Sequence, residues 1–320
     1  AELVSASSSL SYIFPNIAMN SLGNQVVGWE GFDSSGGQFV VHLATKFAPS
    51  TVWSPPLQIS KNRFFSFPNV AIDNQNRTAA IWIEPINQIS TVLASFGSRG
   101  SWGQPEILSN KGCSANSPFS KIVLNNNLSD PIGLAAWAES NGIVMTIQTR
   151  FLTLSGWESS HAFEVPGASS VRPVIALNDA NRAVVVWQSI QGNRSYLIQA
   201  AVYDPGSGWS EPETLSVASA KLPQIAMNPS GEAVVAWEIT LPNENSAIDV
   251  IILSNEGEWG SITRFRDSNI NTTARVAIND SGNMGLIWLA NDGSQVFVRA
   301  SVNDGGGDWT PAETISSQGF

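Results

Sequence analysis

Residues Ala233 to Glu238 read AVVAWE, and close copies of this run occur at five other places: QVVGWE from Gln25, TAAIWIE from Thr78, GLAAWAE from Gly133, AVVVWQ from Ala183 and MGLIWLA from Met284. Each is a short stretch of small and β-branched apolar residues ending at a tryptophan. Such runs, bounded by Gly, Pro, Asn and Asp, are strand signals, and no 3.6-residue periodicity persists long enough for a helix. The twelve tryptophans fall into two interleaved sets. One set is Trp29, Trp82, Trp137, Trp187, Trp237 and Trp288; the other is Trp53, Trp102, Trp157, Trp209, Trp259 and Trp309, with neighbours in either set 49 to 55 residues apart.

A repeat of about 50 residues is a supersecondary unit that cannot bury both of its faces alone. The clearest copy runs PQIAMN, the turn PSG, EAVVAWE, a variable loop, AIDVIILS, a hairpin, and WGSITRF. That is four antiparallel strands. Six such units packed face to face predict an all-β, six-bladed β-propeller with four strands per blade. The blades are expected near 13–60, 67–110, 118–165, 171–217, 222–267 and 272–317, as a single domain over 1–320. The turn between first and second strands recurs as NSLG at Asn20, DNQN at Asp73, NDAN at Asn178, NPSG at Asn228 and NDSG at Asn279. An Asn or Asp opening the turn, with Gly or Asn three residues on, fits a type I turn with a bulge. The repeated tryptophans are then expected to be core.

Composition excludes several partners. Only 13% of residues are charged and the net charge is -10, so no basic field exists to draw nucleic acid or an anionic membrane surface. No apolar run approaches the roughly 18 residues of a membrane span, and no membrane insertion is expected. Cys113 is the single cysteine, which rules out an internal disulfide. His42 and His161 have no acidic residue at ligand spacing, so neither a metal nor a cofactor is expected. A monomer is the expected state. The small polar start AELVSASSS fits a secreted or cell-surface bacterial protein from which a leader has been removed, and fits a simple sequence boundary equally. Its first residues, AELVS, repeat the tail of a fourth strand such as WTPAETIS at Trp309, either because the array is longer or because this segment lies beside the last blade.

Two hairpins between third and fourth strands read DPGSGW, with Asp204, Gly206 and Trp209, and DGGGDW, with Asp304, Gly306 and Trp309. Both resemble the Asp box of the BNR-repeat, or sialidase-like, β-propellers, although the Ser or Thr that opens the fuller motif is replaced by Val202 and Val302. The W-x-x-P-x-x-L-S and P-x-I-A-x-N patterns are similar to propeller repeats of uncharacterised bacterial exported proteins. The resemblance implies that these six residues are structural, stabilising a turn on the face opposite any active site. It also implies what a sialidase would need: three arginines on a carboxylate, a Tyr and Glu pair, and an acidic Asp. The arginine motif of the first blade is replaced by FPNI at Phe14, and only three tyrosines exist.

A general glycosidase needs two carboxylates across a cleft. Glu30, Glu84, Glu139 and Glu238 follow the second-strand tryptophans by one or two residues, and their recurrence is read as edge solvation. No catalytic residue is assigned. The segments that vary most between units are the second-to-third and fourth-to-first connections, and variation on a constant frame is how a rigid scaffold carries function. Chain direction places these loops and the starts of the first strands on one face. Ligand binding is therefore expected there, through Lys61, Arg63, Phe64, Glu84, Arg172 and Arg275, with a glycan or a protein as partner. The segment KNRFFSF from Lys61 is the sharpest feature, though Phe67, like Phe14 and Phe119 at equivalent positions, reads as buried packing. A binding module follows as the leading function, with a sialidase-like hydrolase or a purely structural propeller as the alternatives.

Overall fold

The computed structural model describes residues 12–33, 38–61, 67–110, 119–140, 142–192, 195–217, 219–242, 245–266, 270–305 and 307–316. Among these there is no helix, and hence none long and apolar enough to cross a membrane. The strands form six separate antiparallel sheets. They divide between two compact units, Ala1–Glu164 with Ser170–Ile175, and Val165–Ser169 with Ala176–Phe320.

In the first unit, blade 1 is Tyr12–Met19, Gln25–Asp33, Gln38–Lys46 and Leu57–Gln58. Blade 2 is Asn69–Ile72, Arg77–Ile86, Ile89–Ser98, Ser101–Trp102 and Glu106–Ile107. Blade 3 is Lys121–Leu124, Gly133–Ser140, Met145–Thr153, Gly156–Trp157 and His161–Phe163. The second unit holds blade 5, of Ala220–Met227, Ala233–Thr240, Ser246–Leu253 and Thr263–Phe265, and blade 6, of Ile270–Ile278, Met284–Asn291, Val296–Asn303 and Glu313–Thr314. Blade 4 is Ala168–Leu177, Ala183–Gln191, Tyr196–Asp204, Gly208–Trp209 and Glu213–Thr214; the middle of its first strand belongs to the first unit and the rest to the second.

In blades 2, 3 and 4 the outer strand is broken into two short pieces that both pair with the third strand. The W-x-x-P pattern accounts for the break in blades 2 and 4, because Pro105 and Pro212 have no N–H to give the ladder. The inter-strand turns follow their sequence. Asn20 Oδ1 accepts the N–H groups of Leu22 at 3.1 Å and Asn24 at 2.9 Å, and Asp73, Asn178 and Asn279 do the same in their own turns. The left-handed residue three positions on is Gly23, Asn76, Asn181, Gly231 or Gly282. The Asn side chains also link blades: Asn20 Nδ2 donates to Asp73 O at 2.7 Å, and Asn178 Nδ2 to Pro229 O at 3.1 Å.

The second-strand tryptophans are core, with Trp82, Trp137, Trp187 and Trp237 fully buried. Trp82, Trp137 and Trp288 each join the core of the preceding blade. Trp82 meets Val26, Val41 and Leu43 of blade 1, Trp137 meets Ala79, Ile81 and Val92 of blade 2, and Trp288 meets Val234, Ala236 and Phe265 of blade 5. Strand alternation then sends the residue after the tryptophan toward the following blade.

Candidate functional site

That alternation decides the fate of the recurring glutamates. All four are buried, so they are not solvated edges. In blades 2 and 3 the Glu stands two residues after the Trp and shares its face. Glu84 Oε2 accepts Trp82 Nε1 at 3.1 Å and Lys61 N at 3.3 Å; Glu139 accepts Trp137 Nε1 at 2.9 Å, Asn110 N at 2.9 Å and Asn110 Nδ2 at 2.8 Å. In blades 1 and 5 the Glu stands one residue on and faces the next blade. Glu30 accepts the N–H of Phe67, and Glu238 accepts Thr273 N at 2.7 Å and the hydroxyl of Thr272. The carboxylates therefore clasp the chain where it passes between blades.

A consequence is a measurable asymmetry between two otherwise equivalent tryptophans. Trp237 Nε1 is buried with no hydrogen-bond partner among the described residues, whereas Trp82 Nε1 donates to Glu84. Trp82→Phe should cost about 1–2 kcal/mol more than Trp237→Phe, because only the former removes a bond and strips a donor from a buried carboxylate. Equal urea midpoints for the two variants would contradict this assignment.

The first strands carry the feature that best positions a ligand. In five of the six blades a non-glycine residue at or just before the start of the first strand takes positive φ: Phe14 at 52°, Phe67 at 44° and Arg172 at 57°, with Leu222 at 57° and Thr273 at 58° in the second unit. The strand register slips there, between Ile13 and Asn16, between Lys221 and Gln224, and between Thr272 and Arg275. Proline follows at Pro15, Pro68, Pro173 and Pro223, where the ladder N–H is dispensable. Asn16 and Asn69 tie neighbouring first strands together, Asn16 Oδ1 accepting Val70 N at 2.8 Å and Asn69 Oδ1 accepting Ile122 N at 2.9 Å.

The frame is constant and its side chains differ. In the first unit they form a stripe: the Phe14 and Phe67 rings lie 4.3 Å apart, Phe67 and Phe119 lie 6.4 Å apart, and the Arg172 guanidinium sits 4.0 Å over Phe119. Phe14 is 42% exposed, and Phe67 and Phe119 are half-buried, so these rings are not sealed packing. Together with Pro15, Pro68, Asn16 and Lys121 they line a concavity of about 200 Å³. Burial lowers the Arg172 pKa from its ordinary value, and the aromatic face beneath it compensates the cation.

The other sequence candidates fall as follows. Lys61 is exposed and its backbone N–H is held by Glu84, which is itself buried in the frame. Arg63, Phe64 and Gly306, like the AELVS segment, lie outside the described residues. Arg275, in the second unit, is exposed and donates to the Ala274 carbonyl at 2.8 Å. At the hairpins, Asp204 is half-exposed with Oδ1 3.4 Å from Arg182 Nε, and the Trp209 ring lies 5.3 Å from that of Tyr203, tilted at 58°. The positive φ of that turn is at Gly208, and a Cβ on Gly206 would meet nothing within 4 Å. Asp304 is exposed, and Trp309 packs 5.9 Å from Phe265. Among the described residues no three His, Cys, Asp or Glu side chains gather as a metal site.

No family model and no curated protein sequence matches the chain. Solved structures do. A protein of unknown function from Dyadobacter fermentans aligns with a TM-score of 0.53 at 10% identity, over 94% of this chain and 96% of that one. An ulvan lyase, a polysaccharide lyase solved with a bound glucuronate-containing saccharide, aligns with a TM-score of 0.56 at 11% identity, over 93% and 82%. The fold is a six-bladed β-propeller. The leech intramolecular trans-sialidase aligns at a TM-score of 0.49 and 10% identity, over 87% of this chain and 64% of that one, so the chain spans less than two thirds of that protein's length. The likeness to the sialidase-like proteins is one of fold.

Proposed function

We propose that the protein is a non-catalytic binding module of an exported or cell-surface protein, and that the loop-bearing end of the first strands in the first unit recognises a glycan. The observation that carries this reading is the stripe of Phe14, Phe67 and Phe119 with Arg172 stacked on its end, left open beside a concavity that Lys121 also lines. Partly exposed aromatic faces suit the apolar faces of sugar rings, and Lys121 in the lining with Arg172 at the end of the stripe, and no carboxylate among the described lining residues, favour an acidic saccharide. The saccharide bound to the ulvan lyase of like fold lends support. The alternative of a glycoside hydrolase is disfavoured because Glu84 and Glu139 are buried and engaged by two or more donors each.

An array of acidic and neutral glycans tests this. Binding to acidic glycans is expected, weakening as salt screens the cations. Phe119→Ala and Arg172→Ala should each reduce affinity about tenfold or more, the factor equivalent to about 1.4 kcal/mol. Unchanged affinity in both, or capture of a protein partner with no glycan bound, would defeat the proposal.

A further inference from the structure

A second cavity lies in the other unit, at the tryptophan hairpins of blades 4 and 5. It has a volume of about 290 Å³, and Trp209, Trp259, Val202 and Ala200 supply apolar wall while Arg182 and Asp204 supply charge. The two indoles are the fourth-strand tryptophans of successive blades, both half-buried rather than sealed into the core.

Arg182 makes the difference between this hairpin cleft and its counterpart in the first unit. Arg77 stands at the same place in blade 2, four residues after the turn-opening residue. There the opener is Asp73, whose carboxylate takes the Arg77 Nε, while Nη2 donates to the Asn125 and Asn127 carbonyls at 3.3 and 2.6 Å. In blade 4 the opener is Asn178, whose amide instead donates to Pro229 O. Arg182 therefore turns to the blade 5 hairpin, where Nη1 donates to the Asn255 carbonyl. Its Nε lies 3.4 Å from Asp204 Oδ1, too poorly aligned for a hydrogen bond, and is buried without any other acceptor among the described residues. The guanidinium is thus a fixed, more than nine-tenths buried floor that holds a half-exposed carboxylate at the cavity mouth.

We infer that this cleft between Trp209 and Trp259 is a binding site for a neutral sugar ring, separate from the aromatic stripe of the first unit and independent of the reading given for it. An indole face takes the apolar side of a pyranose, and the carboxylate of Asp204, ion-paired with Arg182, can accept hydrogen bonds from its hydroxyls. The chemistry selects against anions. Glu213 and Glu256 line the same cavity, both exposed, and repel a negatively charged ligand. The volume, at the low end for ligand pockets, accommodates the terminal residue of a glycan rather than a chain.

The test is calorimetric titration of the full chain with methyl glycosides of neutral hexoses and pentoses, with methyl glucuronide and tetramethylammonium as charged controls, followed through the indole N–H resonances. At least one neutral glycoside is expected to saturate with shifts in the Trp209 and Trp259 signals, ahead of both controls. Trp259→Ala and Asp204→Asn should weaken it about tenfold or more. Trp259→Phe, which keeps a ring in a folded hairpin, should retain part of the affinity, and Leu128→Ala, at an exposed position of the first unit, should leave it unchanged. The inference is overturned if no neutral glycoside binds up to its solubility limit, if folded Trp259→Ala and Trp259→Phe bind as the unaltered chain does, or if tetramethylammonium binds in preference to every glycoside. Failure of acidic glycans on the array bears on the first-unit stripe alone.

Discussion

Trp82→Ala should lower the unfolding free energy by about 4 kcal/mol, the usual range for truncating a fully buried aromatic ring. The ring is wholly inaccessible and lies among Val26, Val41, Leu43, Val70 and Leu93, so its removal opens a cavity between blades 1 and 2 that neither rigid sheet can close. Two terms add. About 150–250 Å² of apolar surface is lost at roughly 25 cal/mol per Å², and the buried Glu84 loses one of its donors. Urea unfolding followed by far-ultraviolet dichroism measures the change. A loss under about 2 kcal/mol would mean that the blades re-close over the gap and that the tryptophan is not the inter-blade anchor described here.

Glu139→Ala is expected to cost about 3 kcal/mol, an effect larger than most carboxylate deletions produce. The Glu139 carboxylate is 2% exposed and accepts three donors, the Trp137 indole and both N–H groups of Asn110. Alanine leaves all three without acceptor; water can reach the exposed Asn110, so the indole bears most of the penalty. Glu139→Gln keeps one oxygen but turns an NH2 toward donors, and an intermediate loss of about 2 kcal/mol is expected. The same variants decide between frame and chemistry. A catalytic carboxylate would abolish hydrolysis with stability preserved, whereas a clasp loses stability and leaves glycan affinity intact.

These expectations rest on spacing that can be read from the chain. Because side chains alternate along a strand, W-x-E in TAAIWIE and GLAAWAE puts the carboxylate beside its own indole, while W-E in QVVGWE and AVVAWE sends it to the next blade. Recurrence alone suggested solvated edges; the phase relative to the tryptophan carries the buried role. The Asn and Asp turns were equally local, since each side chain bonds N–H groups two and four residues away.

The two candidate ligand sites were not local. Phe14, Phe67 and Phe119 read as packing because hydrophobic pattern records burial but not backbone torsion, and at Phe14 and Phe67 a positive φ before proline takes the ring off the regular strand alternation. Arg77 and Arg182 occupy one repeat position, yet their roles separate through partners from the following blade: Asn125 and Asn127 for one, Asn255 for the other. Strand number, blade count, turn type and the tryptophan core were determined by the sequence itself, because each depends on interactions repeated within about 50 residues. The aromatic stripe and the indole cleft were decided only by tertiary structure, because the rings that define them come one from each blade, and what brings those residues together is the stacking of blades rather than any pattern along the chain.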